Sequence, residues 1–333
     1  MSDANVSLAD RFVVAPRERS IFGLRRPEIG TLAIVGIFLT VCIAGGLTTS
    51  GFATADNARA ILVSSAFVGV IAVGMTLIMI SGNVFSLSLG LTAAVSAIAF
   101  LYLLRLGFVP ALVLTMLLGG AICALQGAVV GGLGANPIIV TIAAGVVQQG
   151  LTLDLTGGTT TNPGGGNHDY LVLTHMVAGI PIQFVILVGL TLVADFMLRA
   201  TRFGRQVYAV GENRQAARAA AISIPRVAIG AFAFAGVAAG LAGALLGAAN
   251  QNATLSIAST FTYDAIAAAL VGGTAVAGGR GSAARTLFGA VIIATISSIL
   301  LLHSYSTGVQ MLVKGVIVVM VVAILSLGDR DGS

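Results

Sequence analysis

Long apolar runs separated by short polar or charged segments fill most of the chain, from about residue 29 to residue 327. Most of these runs are close to the twenty residues that an α-helix needs to cross the hydrocarbon core of a bilayer. Segments of alternating hydrophobicity, which are typical of transmembrane β-barrels, are absent from the sequence. The pattern predicts an all-α, polytopic transmembrane helical bundle of about ten spans. The predicted spans are 29–47, 58–80, a third ending near 104, 111–130, 136–155, 180–198, 227–248, 264–277, 286–302 and 308–327.

Polar or glycine-rich breaks interrupt two of the runs, at Ser81–Gly90 and near Gly272, and they leave nine to eleven spans possible. No internal repeat stands out from the background of small and aliphatic residues. Unwound backbone at membrane depth is tolerated where it faces protein or a water-filled cavity. The breaks therefore predict a place where a small polar solute is hydrogen-bonded, and the alternative is that the glycines only allow close helix crossings. The polar side chains at the breaks are Asn83, Ser86, Ser88 and Thr274.

Composition supports a membrane protein, because the 333 residues are 57% hydrophobic and only 9% charged. A soluble domain of this size needs more polar surface. The 43 glycines suit the close approach of helices in lipid.

Sixteen arginines and one lysine give the chain a net charge of +5. Ten spans place both termini in the cytoplasm and put fourteen arginines on that side, in agreement with the positive-inside rule. Nucleic-acid binding is a poor explanation for this charge, because the arginines lie in loops between apolar spans. The predicted division is a cytoplasmic tail (1–27), a transmembrane domain (28–328) and a short tail (329–333).

Arg199–Arg226 is the one long internal segment that is rich in charge, with six arginines and one glutamate. At the bilayer centre each arginine would cost about 2.5–3.5 kcal/mol, so we expect residues 199–226 to form a cytoplasmic loop. Alanine-rich Asn213–Ile222 predicts a short helix within it, ended by Pro225. A short helix between spans is a natural docking element for a soluble partner.

The sequence holds no catalytic or metal-binding constellation. Its only lysine, Lys314, lies inside a predicted span, so the chain has no Gly-x-x-x-x-Gly-Lys-Ser/Thr phosphate loop. We therefore predict no enzyme activity and no cofactor, with any use of ATP left to another subunit. The remaining candidate ligands lack metal-site spacing or lie in apolar runs as packing residues: His168, His175, His303, Cys42 and Cys123.

Four charged residues lie within or beside predicted spans: Asp154, Asp195, Asp264 and Lys314. Such residues are functional candidates. Asp154 and Asp195 lie near span ends, Asp264 is placed to cap a helix, and Lys314 can extend to the interface. So few buried acids argue against a proton- or sodium-coupled carrier.

Several stretches, in order, resemble the permease subunits of bacterial ABC importers of the ribose/xylose/galactose type, relatives of the branched-chain amino acid permeases. The resemblance covers roughly residues 50–325, and its motifs are specific in combination. The matching stretches are Ala72–Gly82, Asn136–Ile142, Thr201–Asn213, Ala216–Ala217 and Asp264–Gly281.

The resemblance implies a homo- or heterodimer of permeases in the bacterial inner membrane, two cytoplasmic ATPase subunits and a periplasmic solute-binding protein. The imported solute would be a monosaccharide, with nucleosides or other small polar solutes as the alternative. The residues that match the ATPase-coupling stretch are Gly211, Glu212, Asn213, Ala216, Ala217 and Ile222. The residues expected to line the translocation path are Asn83, Phe85, Ser86, Ser88, Gln149, Asp264 and Thr274.

Two residues depart from the family pattern and remove charge near the expected path. Ser86 stands where the family usually has aspartate, and Gln149 stands where it often has arginine. The hypothesis is a permease whose coupling helix moves with the ATPases and opens a path at the dimer axis to one side at a time. The rival hypotheses are a secondary transporter without an ATPase and a channel or membrane-embedded interaction protein.

Overall fold

The computed structural model describes residues 36, 38–43, 45–164 and 168–330. The described residues between Phe38 and Thr48 are helical. The main helices that follow are α1 Ala55–Ile80, α2 Leu89–Leu103, α3 Phe108–Leu133, α4 Pro137–Thr156, α5 Ile182–Ala200, α6 Arg202–Glu212, α7 Arg214–Ala219, α8 Ile224–Asn250, α9 Phe261–Val271, α10 Ala283–Leu302 and α11 Thr307–Arg330. Short 3-10 turns at Leu104–Leu106 and Asp169–Thr174 and an antiparallel pair of two-residue strands, β1 Met176–Val177 and β2 Ile180–Pro181, complete the described elements.

Seven of the described helices are long and apolar enough to cross a membrane: α1, α2 with its 3-10 extension, α3, α4, α5, α8 and α10. They coincide with seven of the predicted spans, so the prediction of an all-α membrane bundle is confirmed. Nine of the nineteen residues of the predicted first span lie outside the described residues, as do the N-terminal tail and the last three residues. The count of ten spans and the cytoplasmic placement of both termini stay predictions.

Helix α8 lies at the centre of the bundle and packs against α1, α2 and α3 through small residues. A Cβ added to Gly236 would overlap the carbonyl oxygen of Gly119 in α3, and one added to Gly240 would lie 2.8 Å from the Cα of Met116. On another side, a Cβ on Gly74 of α1 would lie 2.8 Å from the Cα of Ala235. The glycines therefore set the distance between these helices, because backbones approach this closely only where side chains are missing.

Helices α1 and α9 end in the same kind of turn. After α1, the amide of Ser81 donates to the carbonyl of Leu77 and the amide of Asn83 donates to that of Ile78, with Gly82 at φ +74°. After α9, the amides of Gly272 and Thr274 donate to Ala268 and Ala269, with Gly273 at φ +76°. The predicted eighth span, 264–277, is therefore wrong at both ends: its helix begins at Phe261 and stops at Val271, where the glycine turn terminates it.

The turn after α1 and the loop that follows the turn after α9 meet at a junction of glycines, which we call the glycine junction: Gly82, Gly211, Gly278 and Gly279. The amide of Gly279 donates to the carbonyl of Ile80 at 2.9 Å. A Cβ on Gly278 would lie 2.7 Å from the Cα of Gly82, and one on Gly211 would overlap the Ile80 carbonyl. Three non-adjacent segments are therefore in direct backbone contact at the end of α1.

The charged segment 199–226 contains two helices rather than the one that was predicted. Helix α6 has one face of buried residues spaced three apart, Gly204, Val207 and Val210, opposite exposed arginines. The predicted helix 213–222 is shorter than expected, because Asn213 caps α7 and Ala221 adopts φ +57° after it. Pro225 does not end this helix but lies in the first turn of α8, where a missing amide hydrogen costs nothing.

An ion pair joins α11 to α9. Lys314 Nζ lies 2.8 Å from Asp264 Oδ1, and the two side chains are only 14% and 7% exposed. Asp264 therefore does not cap a helix, since α9 begins three residues earlier, and Lys314 does not extend to the interface. Asp195 pairs with Arg199 at 2.7 Å and Asp154 is exposed, and their interfacial positions stay predictions.

Gly236→Ala is expected to lower the midpoint of thermal unfolding of the detergent-purified protein. The added methyl group overlaps α3, and overpacking costs about 1–3 kcal/mol, more than the gain of up to about 1 kcal/mol from helix propensity. Gly189→Ala is the control, since nothing lies within 4 Å of that position. Equal midpoints for the two variants would contradict the packing of α8 on α3.

Lys314→Met is expected to destabilise the protein by about 3–5 kcal/mol, because it leaves the Asp264 carboxylate buried without its partner. The double variant Asp264→Asn/Lys314→Met removes both charges and should recover most of this loss. Thermal unfolding in detergent measures both variants. A double variant less stable than the single one would show that the ion pair itself, and not the orphaned charge, matters.

Candidate functional site

The segment between α1 and α2, residues 83–88, runs without helix through the interior of the bundle. Its Ser86 and Ser88 are buried, and Phe85 packs against the core. Because the backbone has no helical partners here, its amides donate hydrogen bonds to side chains. Ser86 N–H donates to Met75 Sδ at 3.3 Å, and Leu87 N–H donates to Thr141 Oγ1 at 3.1 Å. The break is thus held in place by side chains of α1 and α4.

Buried hydroxyls and amides continue from this segment into α2, α3 and α4. Ser86 and Ser88 share a hydrogen bond of 3.2 Å, and the Ser88 hydroxyl donates to Gln126 Oε1 at 2.8 Å. The Thr92 hydroxyl donates to Gln148 Oε1 at 2.9 Å. We call Ser86, Ser88, Thr92, Gln126 and Gln148 the polar network.

One atom of the polar network has no partner. The Nε2 of Gln126 is buried and makes no hydrogen bond within the described residues. A buried donor left unsatisfied costs about 1–3 kcal/mol. Gln126 also borders a cavity that is open on one side.

That cavity, which we call the α2–α4 cavity, measures about 790 Å³ and lies between α2, α3 and α4. Most of its wall is aliphatic. Its polar side chains include Gln126, Gln148, Thr152, Thr156 and Thr161.

Sequence reasoning found the two serines of the polar network and missed its amides. Gln149, expected from the family pattern, lies on the exposed face of α4, whereas its neighbour Gln148 is buried. The available signal was the spacing of Gln148, Thr152 and Thr156, which repeats every four residues along one face of an otherwise apolar helix.

The other expected path residues lie elsewhere. Asp264, with Lys314, borders a second cavity of about 340 Å³ between α9 and α11. Thr274 is buried in the turn after α9, and its hydroxyl has no partner within the described ranges. Asn83 is buried beside the glycine junction, where its Nδ2 donates to Ser81 Oγ at 2.8 Å. The structure therefore brings Ser86 and Ser88 together and separates Asp264 from them.

The candidate coupling residues form a connected unit around α7. Its cap, Asn213, accepts hydrogen bonds from the amides of Gln215 and Ala216. Glu212, Asn213 and Ala216 are exposed, Ile222 is half-buried, and Gly211 lies in the glycine junction. Ala217 is only 3% exposed and faces the bundle, so it supports α7 from within.

Arg214 links α7 to the break after α1. Its guanidinium donates to the carbonyl of Gly82 at 3.1 Å and to Oδ1 of Asn83 at 2.6 Å. Because Asn83 begins the segment that carries Ser86 and Ser88, an exposed helix is connected to the polar network by one side chain.

A second contact fixes α6 beside the turn after α9. The Tyr208 hydroxyl donates to the carbonyl of Gly281 at 2.9 Å. Burial raises the pKa of this hydroxyl and Asp195 raises it further, while Arg199 and Arg285 oppose the shift. The hydroxyl therefore keeps the proton that the hydrogen bond needs.

The described residues contain no group of three His, Cys, Asp or Glu side chains placed to hold a metal ion. Of the two cysteines, Cys123 is buried and Cys42 is half-buried, and both are free.

Comparison with known proteins gives matches over nearly the whole chain. It is 32% identical to the ribose import permease protein of Bacillus subtilis (strain 168), over 86% of this chain and 90% of that protein. The chain is 31% identical to the D-allose transport system permease protein of Escherichia coli (strain K12), over 91% of this chain and 93% of that protein. The chain is 34% identical to a probable ABC transporter permease protein of the same organism, over 89% of this chain and 88% of that protein. No solved structure matches the chain significantly.

The family model that matches residues 57–323 contains every described helix from α2 to α10 and most of α1 and α11. The resemblance found from the sequence motifs is thus confirmed. The chain is a multi-pass membrane protein that belongs to the family described as the permease component of the branched-chain amino acid transport system.

Proposed function

We propose that this chain is the membrane permease of a bacterial ABC importer for a monosaccharide. In this proposal, a periplasmic solute-binding protein delivers the sugar, and a second permease subunit, identical or related, completes the membrane unit. Separate cytoplasmic ATPase subunits supply the energy. The transmembrane domain is 28–328, both termini are cytoplasmic, and the complex lies in the inner membrane. The names of the ribose and allose permeases support the solute class.

The observation that carries the proposal is the contact of Arg214 with Gly82 and Asn83. It gives an exposed helix, suited to dock in an ATPase, a direct connection to buried polar groups. A hydrogen bond to a charged group contributes about 1.5–3 kcal/mol. That is as large as typical coupling free energies between sites, about 1–3 kcal/mol, so the two bonds of Arg214 suffice to transmit a change of conformation.

In the mechanism that we propose, the coupling residues are Gly211, Glu212, Asn213, Ala216, Ala217 and Ile222. The exposed ones dock in the ATPase, and Gly211 and Ala217 hold the unit against the bundle. ATP binding brings the ATPases together, and α7 moves with them. Arg214 carries this movement to the turn at Asn83, and the glycine junction carries it to the turn after α9. The nucleotide-bound ATPase favours one permease conformation over the other, which supplies the bias. The chain itself makes and breaks no covalent bonds.

The chain, reconstituted in proteoliposomes with the ATPase and solute-binding protein that copurify with it, is expected to import ribose or allose only with ATP. The measurement is uptake of each labelled sugar with ATP or under a proton or sodium gradient. Uptake by the chain alone under such a gradient would make it a secondary transporter. Solute-stimulated ATP hydrolysis without uptake of either sugar would support the proposal that the chain belongs to an ABC importer, but it would exclude ribose and allose as its solutes.

Arg214→Ala is expected to leave the ATPase bound and its basal hydrolysis unchanged, while stimulation by the loaded binding protein falls about tenfold, the equivalent of roughly 1.4 kcal/mol. Arg218→Ala is the matched control, because it removes the same charge from the same helix. Ala216→Trp, on the exposed face of α7, should instead release the ATPase from the purified complex. Full stimulation in Arg214→Ala would rule out transmission through this side chain.

A further inference from the structure

Two adjacent residues just before α10 are held by two different helices. The carbonyl of Gly281 accepts a hydrogen bond of 2.9 Å from the Tyr208 hydroxyl of α6. The Ser282 hydroxyl donates to Oδ1 of Asp195 in α5 at 3.3 Å. We call these four residues the clamp. Because the two bonds end on neighbouring residues, the start of α10 is fixed to α5 and to α6 at once.

Ser282 does not have the usual role of a serine at its position. It is the N-cap residue of α10, where a serine side chain ordinarily accepts a hydrogen bond from an amide of the first turn. Its hydroxyl forms no such bond and donates to Asp195 instead. Ser282 is only 8% exposed, and the Asp195 side chain is 20% exposed. The serine therefore connects two helices rather than stabilising the end of its own.

The carboxylate of the clamp is held in place from the other side. Oδ2 of Asp195 lies 2.7 Å from Nε of Arg199, one turn further along α5, which leaves Oδ1 to accept from Ser282. A charged acceptor forms a stronger hydrogen bond than a neutral one. Burial and then Asp195 raise the pKa of the Tyr208 hydroxyl, so this hydroxyl keeps its proton and lies close enough to the carboxylate to be affected by it.

The start of α10 is packed on the end of α9 without side chains between them. A Cβ added to Gly272 would lie 2.8 Å from the Cα of Thr286, and one added to Gly289 would overlap the carbonyl oxygen of Ala268. Backbones in such close contact have little room to slide past one another. Helices α9 and α10 therefore form one unit at this end, and a movement of the clamp also moves α9.

The other end of α9 contacts the end of the break between α1 and α2. Thr262 Oγ1, in the first turn of α9, accepts from the amide of Gly90 at 2.9 Å. A Cβ on Gly90 would overlap this hydroxyl. Gly90 lies two residues after Ser88, the last residue of the break. The break is thus contacted near one end by Arg214, through Asn83, and near the other end by α9.

We propose that Tyr208 and Asp195 are positioning residues of the transport cycle, which attach the unit of α9 and α10 to the coupling segment. This inference rests on the proposed function and adds a second route to the one through Arg214. Arg214 acts on the break at Asn83, and the clamp acts on it through α10, α9 and Gly90. Because the two routes reach opposite ends of the same break, a movement of the ATPases displaces the break as a whole.

Spin labels test whether the clamp holds α6 to the loop before α10. In a Cys42→Ala/Cys123→Ala background of the full chain, labels are attached to Gln206→Cys in α6 and Ala277→Cys in the loop, both of which are exposed. Electron paramagnetic resonance is expected to give one narrow distribution of distances between the labels. The double variant Tyr208→Phe/Ser282→Ala should broaden it. An unchanged distribution would show that the loop is held without the clamp and would overturn the proposal.

The same labels distinguish joint movement from simple stabilisation. In the complex with its ATPase, the distance is expected to be equal with and without ATP, because the clamp makes the loop move with α6. In Tyr208→Phe/Ser282→Ala, binding of ATP should change the distance, because α6 then moves without the loop. A distance that changes with ATP while the clamp is intact would contradict the proposal.

Tyr208→Phe and Ser282→Ala each remove one hydroxyl of the clamp. In proteoliposomes, both variants are expected to keep the ATPase bound and its basal hydrolysis unchanged. Stimulation by the binding protein loaded with ribose or allose should fall about fivefold, the factor expected for the loss of one hydrogen bond. Tyr305→Phe is the control, since it removes the same hydroxyl from an exposed residue after α10. Full stimulation in both clamp variants would reject this route.

Conservative replacement of Asp195 tests the role of its oxygen. Asp195→Asn keeps a side-chain oxygen that accepts from Ser282 and should keep most of the stimulation, whereas Asp195→Ala should lower it as Ser282→Ala does. The double variant Asp195→Ala/Ser282→Ala is expected to be no worse than either single variant, because all three lack the same bond. Losses that add would assign the two residues to independent packing and contradict the clamp.

The outcomes separate the two proposals. Normal stimulation in the wild type and in every clamp variant would reject the clamp and leave the importer standing. If no ATPase copurifies and ATP drives no uptake, the proposed function fails, and the coupling role of the clamp fails with it. A broadened label distance in Tyr208→Phe/Ser282→Ala would in that case make the two hydroxyls purely structural.

Discussion

A backbone amide in the hydrocarbon core has no water to bond to, and the architecture of this protein depends on how that constraint is met where helices stop. The chain leaves its helix at Gly82 and again at Gly273. The first turn is tolerated because its backbone contacts Gly211 and Gly278 at the glycine junction, and the second because its backbone packs against Arg285 and Thr286 at the start of α10. Any side chain there would separate the segments and leave carbonyls and amides unpaired. The fold therefore depends on the missing side chains as much as on its apolar surface.

The same constraint divides the molecule into a firm part and a looser part. Around α8, glycines and alanines from α1, α2 and α3 are in close contact, so the helices there have little freedom to slide. Helix α4 is different: a Cβ on its buried Gly145 would meet its nearest neighbours only at 3.8–3.9 Å. It is joined to the rest through hydroxyl and amide groups. Helix α4 therefore has more freedom to move than α8.

Hydropathy was enough to predict seven spans and the position of the charged segment, because the bilayer imposes length and polarity on every helix separately. It was insufficient for contacts between distant residues. Asp264 and Lys314 lie fifty residues apart, and only the packing of α11 on α9 makes them a pair. Gln148 and Gln149 differ by about 100° around the helix axis, so only one of them can face the bundle. The sequence of α4 alone does not show which side of this helix packs against the bundle. Helix α6 was not predicted, although the spacing of Gly204, Val207 and Val210 in the sequence is that of one face of a helix.

The family description names branched-chain amino acids, whereas two of the relatives are named as ribose and allose permeases. An amino acid brings two opposite charges, and each requires a partner or water during passage. In this chain Ser86 bonds to Ser88 and through it to the amide of Gln126. A neutral network can exchange its hydrogen bonds with successive hydroxyls at small cost, because each sugar hydroxyl is both donor and acceptor. A neutral network of this kind is compatible with the neutral solute that we propose.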